Sequence, residues 1–159
     1  MSSEPLEKIV GELLRRSGLW LAVAESCTGG LIADRLTNIS GSSDYFLGGV
    51  VAYANRVKIE QLGVNPATLE KFGAVSRETV LEMAQGVRQR LGADIGLSVS
   101  GIAGPGGGTP EKPVGLTWIG LSAPETDQAW SYVWDGDRLQ NKEYTAEQAL
   151  RLLVEYLRG

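Results

Sequence analysis

The chain has 159 residues, 43% hydrophobic and 21% charged, the composition of one globular domain with a single buried core. It contains no histidine, which excludes Ser-His-Asp and Cys-His catalysis and the common histidine-based zinc and iron sites. A net charge of −4 is the wrong sign for a general nucleic-acid binder, although a local basic pocket can still hold a phosphate.

Leu6, Ile9, Val10, Leu13 and Leu14 recur at helical spacing between Glu4 and Arg16, and Gly18 is a stop signal. Leu19 to Ala24 is a short apolar run that predicts a buried strand, followed by Glu25-Ser26-Cys27-Thr28-Gly29-Gly30 and a helix over 31–37. Phe46 to Tyr53 reads as a second strand and Asn55 to Gly63 as a short helix. Asn65-Pro66 opens a helix that stops at Gly73. Ser76 caps a longer one whose face carries Val80, Met83, Ala84, Val87 and Leu91. Ile95 to Ser100 is a buried strand running into the glycine-rich segment Gly101 to Gly108. Leu116 to Ser122 and Ala129 to Trp134 predict an antiparallel pair joined by a Pro-Glu-Thr-Asp turn. Ala146, Ala149, Leu150, Leu153 and Leu157 mark a closing helix.

Helices interleaved with short buried strands predict an α/β sandwich on a mixed sheet, with ligands at the carboxyl ends of the strands. Both glycine-rich segments fall at such ends. Cys27 is the only cysteine, which fits a reducing compartment, and no apolar run approaches the roughly 20 residues that span a bilayer. The start lacks a signal-peptide pattern, so the expected location is cytoplasmic, with no membrane partner.

Ser26 sits in a strand-to-helix turn, where it is either an N-cap or a nucleophile beside helix N–H groups able to hold an oxyanion. With histidine absent, chemistry must use Ser, Cys, Lys, Tyr, Asp, Glu or backbone groups, and a lysine whose amine is desolvated can be neutral enough to take a serine proton. Of five lysines, Lys58 stands out because it follows the strand that carries Tyr53; the alternative is a solvated surface lysine. Tyr53 is a proton donor or a core aromatic, Cys27 a small buried thiol. Gly101 to Gly108 matches neither a P-loop nor a dinucleotide fingerprint and reads as a flexible turn or a loop whose backbone approaches a ligand. Asp135-Gly136-Asp137-Arg138 reads as a helix entry with an acidic cap, leaving Arg138 solvated or aimed at a phosphate.

Ala24 to Gly30, Gly41-Ser42-Ser43, Tyr53-Ala54-Asn55 with Lys58, Gly73 to Ser76, Ser100 to Pro105, Lys112 to Gly115 and Gly136-Asp137-Arg138 occur in this order. Together they resemble the C-terminal domain of CinA, the nicotinamide-nucleotide amidohydrolase family, from about residue 5 to 157. The resemblance implies a three-layer α/β/α sandwich with a mixed, mostly parallel β-sheet, in a homodimer. It implies hydrolysis of the carboxamide of nicotinamide mononucleotide to nicotinate mononucleotide and ammonia, in pyridine nucleotide recycling, with neither metal nor cofactor. Ser26 would be the nucleophile, Lys58 its base and Tyr53 a proton relay or orienting group. Backbone N–H groups near Thr28, Gly29 and Gly30 would hold the oxyanion. The rest of the substrate would lie against Ser42, Ser43, Asn55, Ser100, Gly101, Ala103, Gly104 and Arg138. Many relatives carry this domain behind a molybdopterin-binding-like domain, whereas this chain resembles the stand-alone form. Some have an arginine where this chain has Lys142, which binds phosphate only as a point charge. The alternative on the same fold is a non-catalytic nucleotide-binding module, and a nucleic-acid-associated role is disfavoured by the acidic charge.

Overall fold

The computed structural model describes residues 4–159. Twelve elements follow one another: α1 (Leu6–Ser17), β1 (Leu21–Glu25), α2 (Leu31–Thr37), a 3₁₀ turn (Ser42–Asp44), β2 (Phe46–Val51), α3 (Asn55–Leu62), α4 (Pro66–Phe72), α5 (Arg77–Leu91), β3 (Ile95–Gly101), β4 (Leu116–Ala123), β5 (Thr126–Val133) and α6 (Arg138–Arg158). The strands form one sheet in the order β2-β1-β3-β4-β5. β1 pairs in parallel with β2 and β3, while β4 is antiparallel to both β3 and β5. Four strands therefore point the same way, and only β4 is reversed.

Side-chain alternation along β1 divides the core between two faces. Leu21 and Val23 pack with Val10, Leu14, Ile32 and Leu150 from α1, α2 and α6. Ala22 and Ala24 pack with Leu62, Leu69, Met83 and Val87 from α3, α4 and α5. The second face is lined by small residues because α5 lies close to it. A Cβ at Gly96 would stand 2.1 Å from the Ala84 carbonyl oxygen, and one at Gly120 would stand 2.6 Å from that of Val80. The Ser98 hydroxyl donates to the same Val80 carbonyl at 2.6 Å. The result is a three-layer α/β/α sandwich.

The caps expected from sequence form as local chemistry dictates. Asn65 accepts from the Ala67 N–H with Pro66 at the first helical position, Ser76 accepts from Thr79, and Asp137 makes a capping box with Gln140. β2 ends at Val51, leaving Tyr53 beyond the strand expected to carry it, and two strand starts also differ from the sequence reading. β1 begins at Leu21 rather than Leu19, because the Gly18 and Leu19 N–H groups both close onto the Leu14 carbonyl at the end of α1. β5 begins at Thr126 rather than Ala129, leaving Pro124 and Glu125 as the turn, with Thr126 and Asp127 paired to Ala123 and Ser122. Polar residues there resemble a turn, but an edge strand keeps its pairing with one side facing water.

Candidate active site

The same alternation separates Glu25 from Ser26. Glu25 ends β1 on the α2 side, and Ser26 emerges toward α3. The ladder continues past the strand, with the Ser26 N–H bonded to the Val99 carbonyl and the Ala52 N–H to that of Glu25. This holds the turn between the ends of β2 and β3. Gly29 and Gly30, at φ of 63° and 108°, let the chain reverse into α2.

On the α3 side, Lys58 is 1% exposed and Ser26 7%. The Lys58 Nζ donates to Ser26 Oγ at 3.1 Å and to the Tyr53 carbonyl oxygen at 2.9 Å. No carboxylate pairs with this amine among the described residues. Burial therefore pulls Lys58 down from its ordinary value to about 8, making a neutral amine accessible near neutral pH. Arg56 does not contribute, because it points outward and faces Glu60 at 3.8 Å.

On the α2 side, Glu25 is also 1% exposed but saturated with donors. It accepts from the Thr28 hydroxyl at 2.5 Å and from the N–H groups of Gly30, Ile32 and Ala33. Its carboxylate takes the place at the start of α2 that the sequence reading reserved for an oxyanion. The Gly29 N–H is also engaged, with the Ser26 carbonyl. Of the expected N–H groups at Thr28, Gly29 and Gly30, only that of Thr28 has no partner among the described residues, and the Cys27 N–H, which faces its own thiol, bonds to no other described residue. The Cys27 thiol is pushed up to about 12, chiefly by burial and in smaller part by Glu25, which keeps it protonated beside Ser26.

Ser26 and Lys58 open into a cavity of about 270 Å³ lined also by Tyr53, Asn55, Ala74, Val75, Ser100 to Gly104, Gly106, Gly107 and Arg138. The Tyr53 side chain is not core: it is 62% exposed, and its hydroxyl accepts from Arg138 at 3.2 Å. Arg138 also donates to the Gly104 carbonyl at 2.7 Å. Ser42 and Ser43 lie elsewhere. Their turn precedes β2, and β2 runs parallel to β1, so they stand at the opposite end of the sheet from Ser26 and outside this cavity. A larger hollow of about 590 Å³ beside Leu19, Trp130, Leu152 and Tyr156 contains no lysine to partner its Ser17.

Two contributors escaped the sequence reading. Glu25 is one; its signal was an acid ending a fully buried strand. Asn141 is the other, 2% exposed, accepting from the Gly136 N–H and donating to the Ala103 carbonyl at 3.0 Å. Its signal was a polar residue three positions after Arg138 on the inward face of α6.

Comparison with known proteins gives this constellation its setting. Residues 3–157 match the model of the CinA C-terminal domain. The chain belongs to this family. It is 53% identical over 157 residues to a CinA-like protein of Chloroherpeton thalassium, covering 96% of this chain and 37% of that protein. It thus spans well under half the length of the curated CinA relatives it matches. Among solved structures, the competence/damage inducible protein CihA of Agrobacterium tumefaciens is 41% identical with a TM-score of 0.91, each chain fully covered. A CinA superfamily protein of Klebsiella pneumoniae is 32% identical with a TM-score of 0.93 over 96% of both chains. No helix among the described residues of this CinA domain is long and apolar enough to cross a membrane.

Proposed function

We propose that the chain hydrolyses the carboxamide of nicotinamide mononucleotide to nicotinate mononucleotide and ammonia through an acyl-enzyme on Ser26, as a cytoplasmic homodimer in pyridine nucleotide recycling. The observation that carries the chemistry is Lys58: buried, without a carboxylate partner among the described residues, and 3.1 Å from the Ser26 hydroxyl. The substrate follows from the ordered motifs that resemble the nicotinamide-nucleotide amidohydrolases.

Neutral Lys58 donates one N–H to the Tyr53 carbonyl, which leaves its lone pair free to accept the Ser26 proton. Ser26 Oγ then attacks the carboxamide carbon, and the oxyanion role falls to the Cys27 and Thr28 N–H groups, which bond to no other described residue. The ammonium form of Lys58 returns its proton to the carboxamide nitrogen as the C–N bond breaks, and ammonia leaves. Lys58, neutral again, takes a proton from water as the hydroxide attacks the ester, and Ser26 leaves with that proton. Arg138 and the loop beginning at Gly101 line the mouth, where an anionic nucleotide tail would lie.

The test is ammonia release from nicotinamide mononucleotide with a chelator present. Wild-type protein is expected to turn over, and Ser26→Ala to lose about 10⁴-fold. Nucleotide binding without turnover would identify the domain as a binding module instead.

A further inference from the structure

The segment between β3 and β4 crosses the cavity mouth as a strap. At its base, Ile102 and Gly115–Leu116 pair through two backbone bonds, Ile102 N–H to Leu116 at 2.9 Å and Gly115 N–H to Ile102 at 2.7 Å. On one side α6 holds it, through Asn141 on the Ala103 carbonyl and Arg138 on that of Gly104. On the other side one side-chain hydrogen bond among the described residues crosses to the facing wall. Half-buried Lys112 donates from Nζ to the Phe72 carbonyl, at the C-terminal end of α4, where the helix dipole favours a cation. No carboxylate pairs with it among the described residues. Around Lys112 the strap closes on itself, with the Thr109 N–H on the Lys112 carbonyl at 2.8 Å and the Lys112 N–H on Thr109 Oγ1 at 3.0 Å.

The two walls so joined both line the cavity: Gly106 and Gly107 from the strap, Ala74 and Val75 just after α4. Ser26 and Lys58 are held by other bonds, none of which involves Lys112. We infer that Lys112 is a positioning residue for substrate: its clasp onto the end of α4 holds the glycine strap against the Ala74–Val75 wall and so sets the shape of the binding cavity. It acts through the strap, on capture of substrate rather than on proton transfer. In its kinetic part the inference rests on the amidase reading above.

Lys112→Met keeps the alkyl stem and removes the donor; Lys112→Arg keeps a cation able to reach the carbonyl. With nicotinamide mononucleotide as substrate, Lys112→Met is expected to raise KM about ten-fold, leaving kcat and the pH midpoint of kcat within two-fold of wild type, and Lys112→Arg to recover most of the loss. Without any ligand, hydrogen exchange over residues 104–112 and 73–75 is expected to quicken in Lys112→Met alone. An unchanged KM, or a loss confined to kcat, overturns the positioning role. Unchanged exchange overturns the clasp. Should wild-type protein release no ammonia, the amidase reading fails and the exchange experiment alone decides the clasp.

Discussion

Glu25 and Lys58 are both ionisable, both 1% exposed, and they flank one turn from opposite faces of the sheet. Glu25 receives four hydrogen bonds, three of them from the N–H groups that open α2, where a negative charge is favoured by the helix dipole. Lys58 has a serine hydroxyl and one backbone carbonyl, and no opposite charge among the described residues. The contrast separates a charge used to build the turn from a charge left uncompensated so that it can titrate. Replacing each by a neutral side chain is expected to move stability in opposite directions.

The largest effect is expected from Lys58→Met. Ammonia release should fall about 10⁴-fold, the upper range for losing a general base. At pH 7 the variant should nevertheless be more stable to denaturant, by about 2 kcal/mol, because an unpaired buried cation has been replaced by an apolar side chain of similar length. The sign with pH follows from the lowered value. Between about 8 and 10.5 the unfolded chain binds the lysine proton more tightly than the folded one, so wild type gains stability as pH rises across that window. The gap between Lys58→Met and wild type should narrow there. A gap constant with pH would mean that Lys58 is not desolvated as its burial implies.

Next in size is the pH dependence of turnover itself. Activity requires neutral Lys58, so kcat/KM, which reports the free enzyme, should climb through a midpoint near 8, by about 100-fold between pH 6 and 9, with no imidazole available to give an earlier rise. A profile flat over that range would remove Lys58 from the role of base.

How much of this was legible in the chain differs by kind of residue. The caps at Asn65, Ser76 and Asp137 could be read because a cap depends on neighbours two or three residues away. The partnership of Ser26 with Lys58 depends on parallel pairing of β1 with β2 and on where α3 begins, so it was readable only through the resemblance of ordered motifs. Ser42 and Ser43 are placed at the site only by the resemblance, through the Gly41-Ser42-Ser43 motif. Strand direction assigns them otherwise, since a turn before β2 and a turn after its parallel neighbour β1 lie at opposite ends of the sheet. Glu25 was passed over because only the alternation of β1, visible once both faces are filled, turns it away from Lys58.

Glu25→Gln probes the other half of the comparison. An amide offers one acceptor oxygen where the carboxylate offers two, and its NH₂ would confront a backbone N–H. Stability should drop by about 3 kcal/mol, and kcat should fall about 30-fold as the Ser26 turn loosens. The pH midpoint should stay near 8, because Lys58 owes its shift mainly to burial on the opposite face. A midpoint that moved with Glu25→Gln would couple the two faces and dissolve the distinction between them.

Tyr53 gives the smallest expected effect and the finest discrimination. Its backbone carbonyl holds the Lys58 amine, whereas its exposed hydroxyl contacts Arg138 at the mouth. Tyr53→Phe removes only the second of these. If the hydroxyl acts by steadying Arg138, the loss should be about ten-fold or less and should fall on KM. A proton relay would instead cost 10²-fold or more in kcat, the lower range for general acid catalysis. Since the bond that reaches Lys58 comes from the main chain, the expected outcome is the KM effect, with the position of the residue mattering more to the base than its phenol.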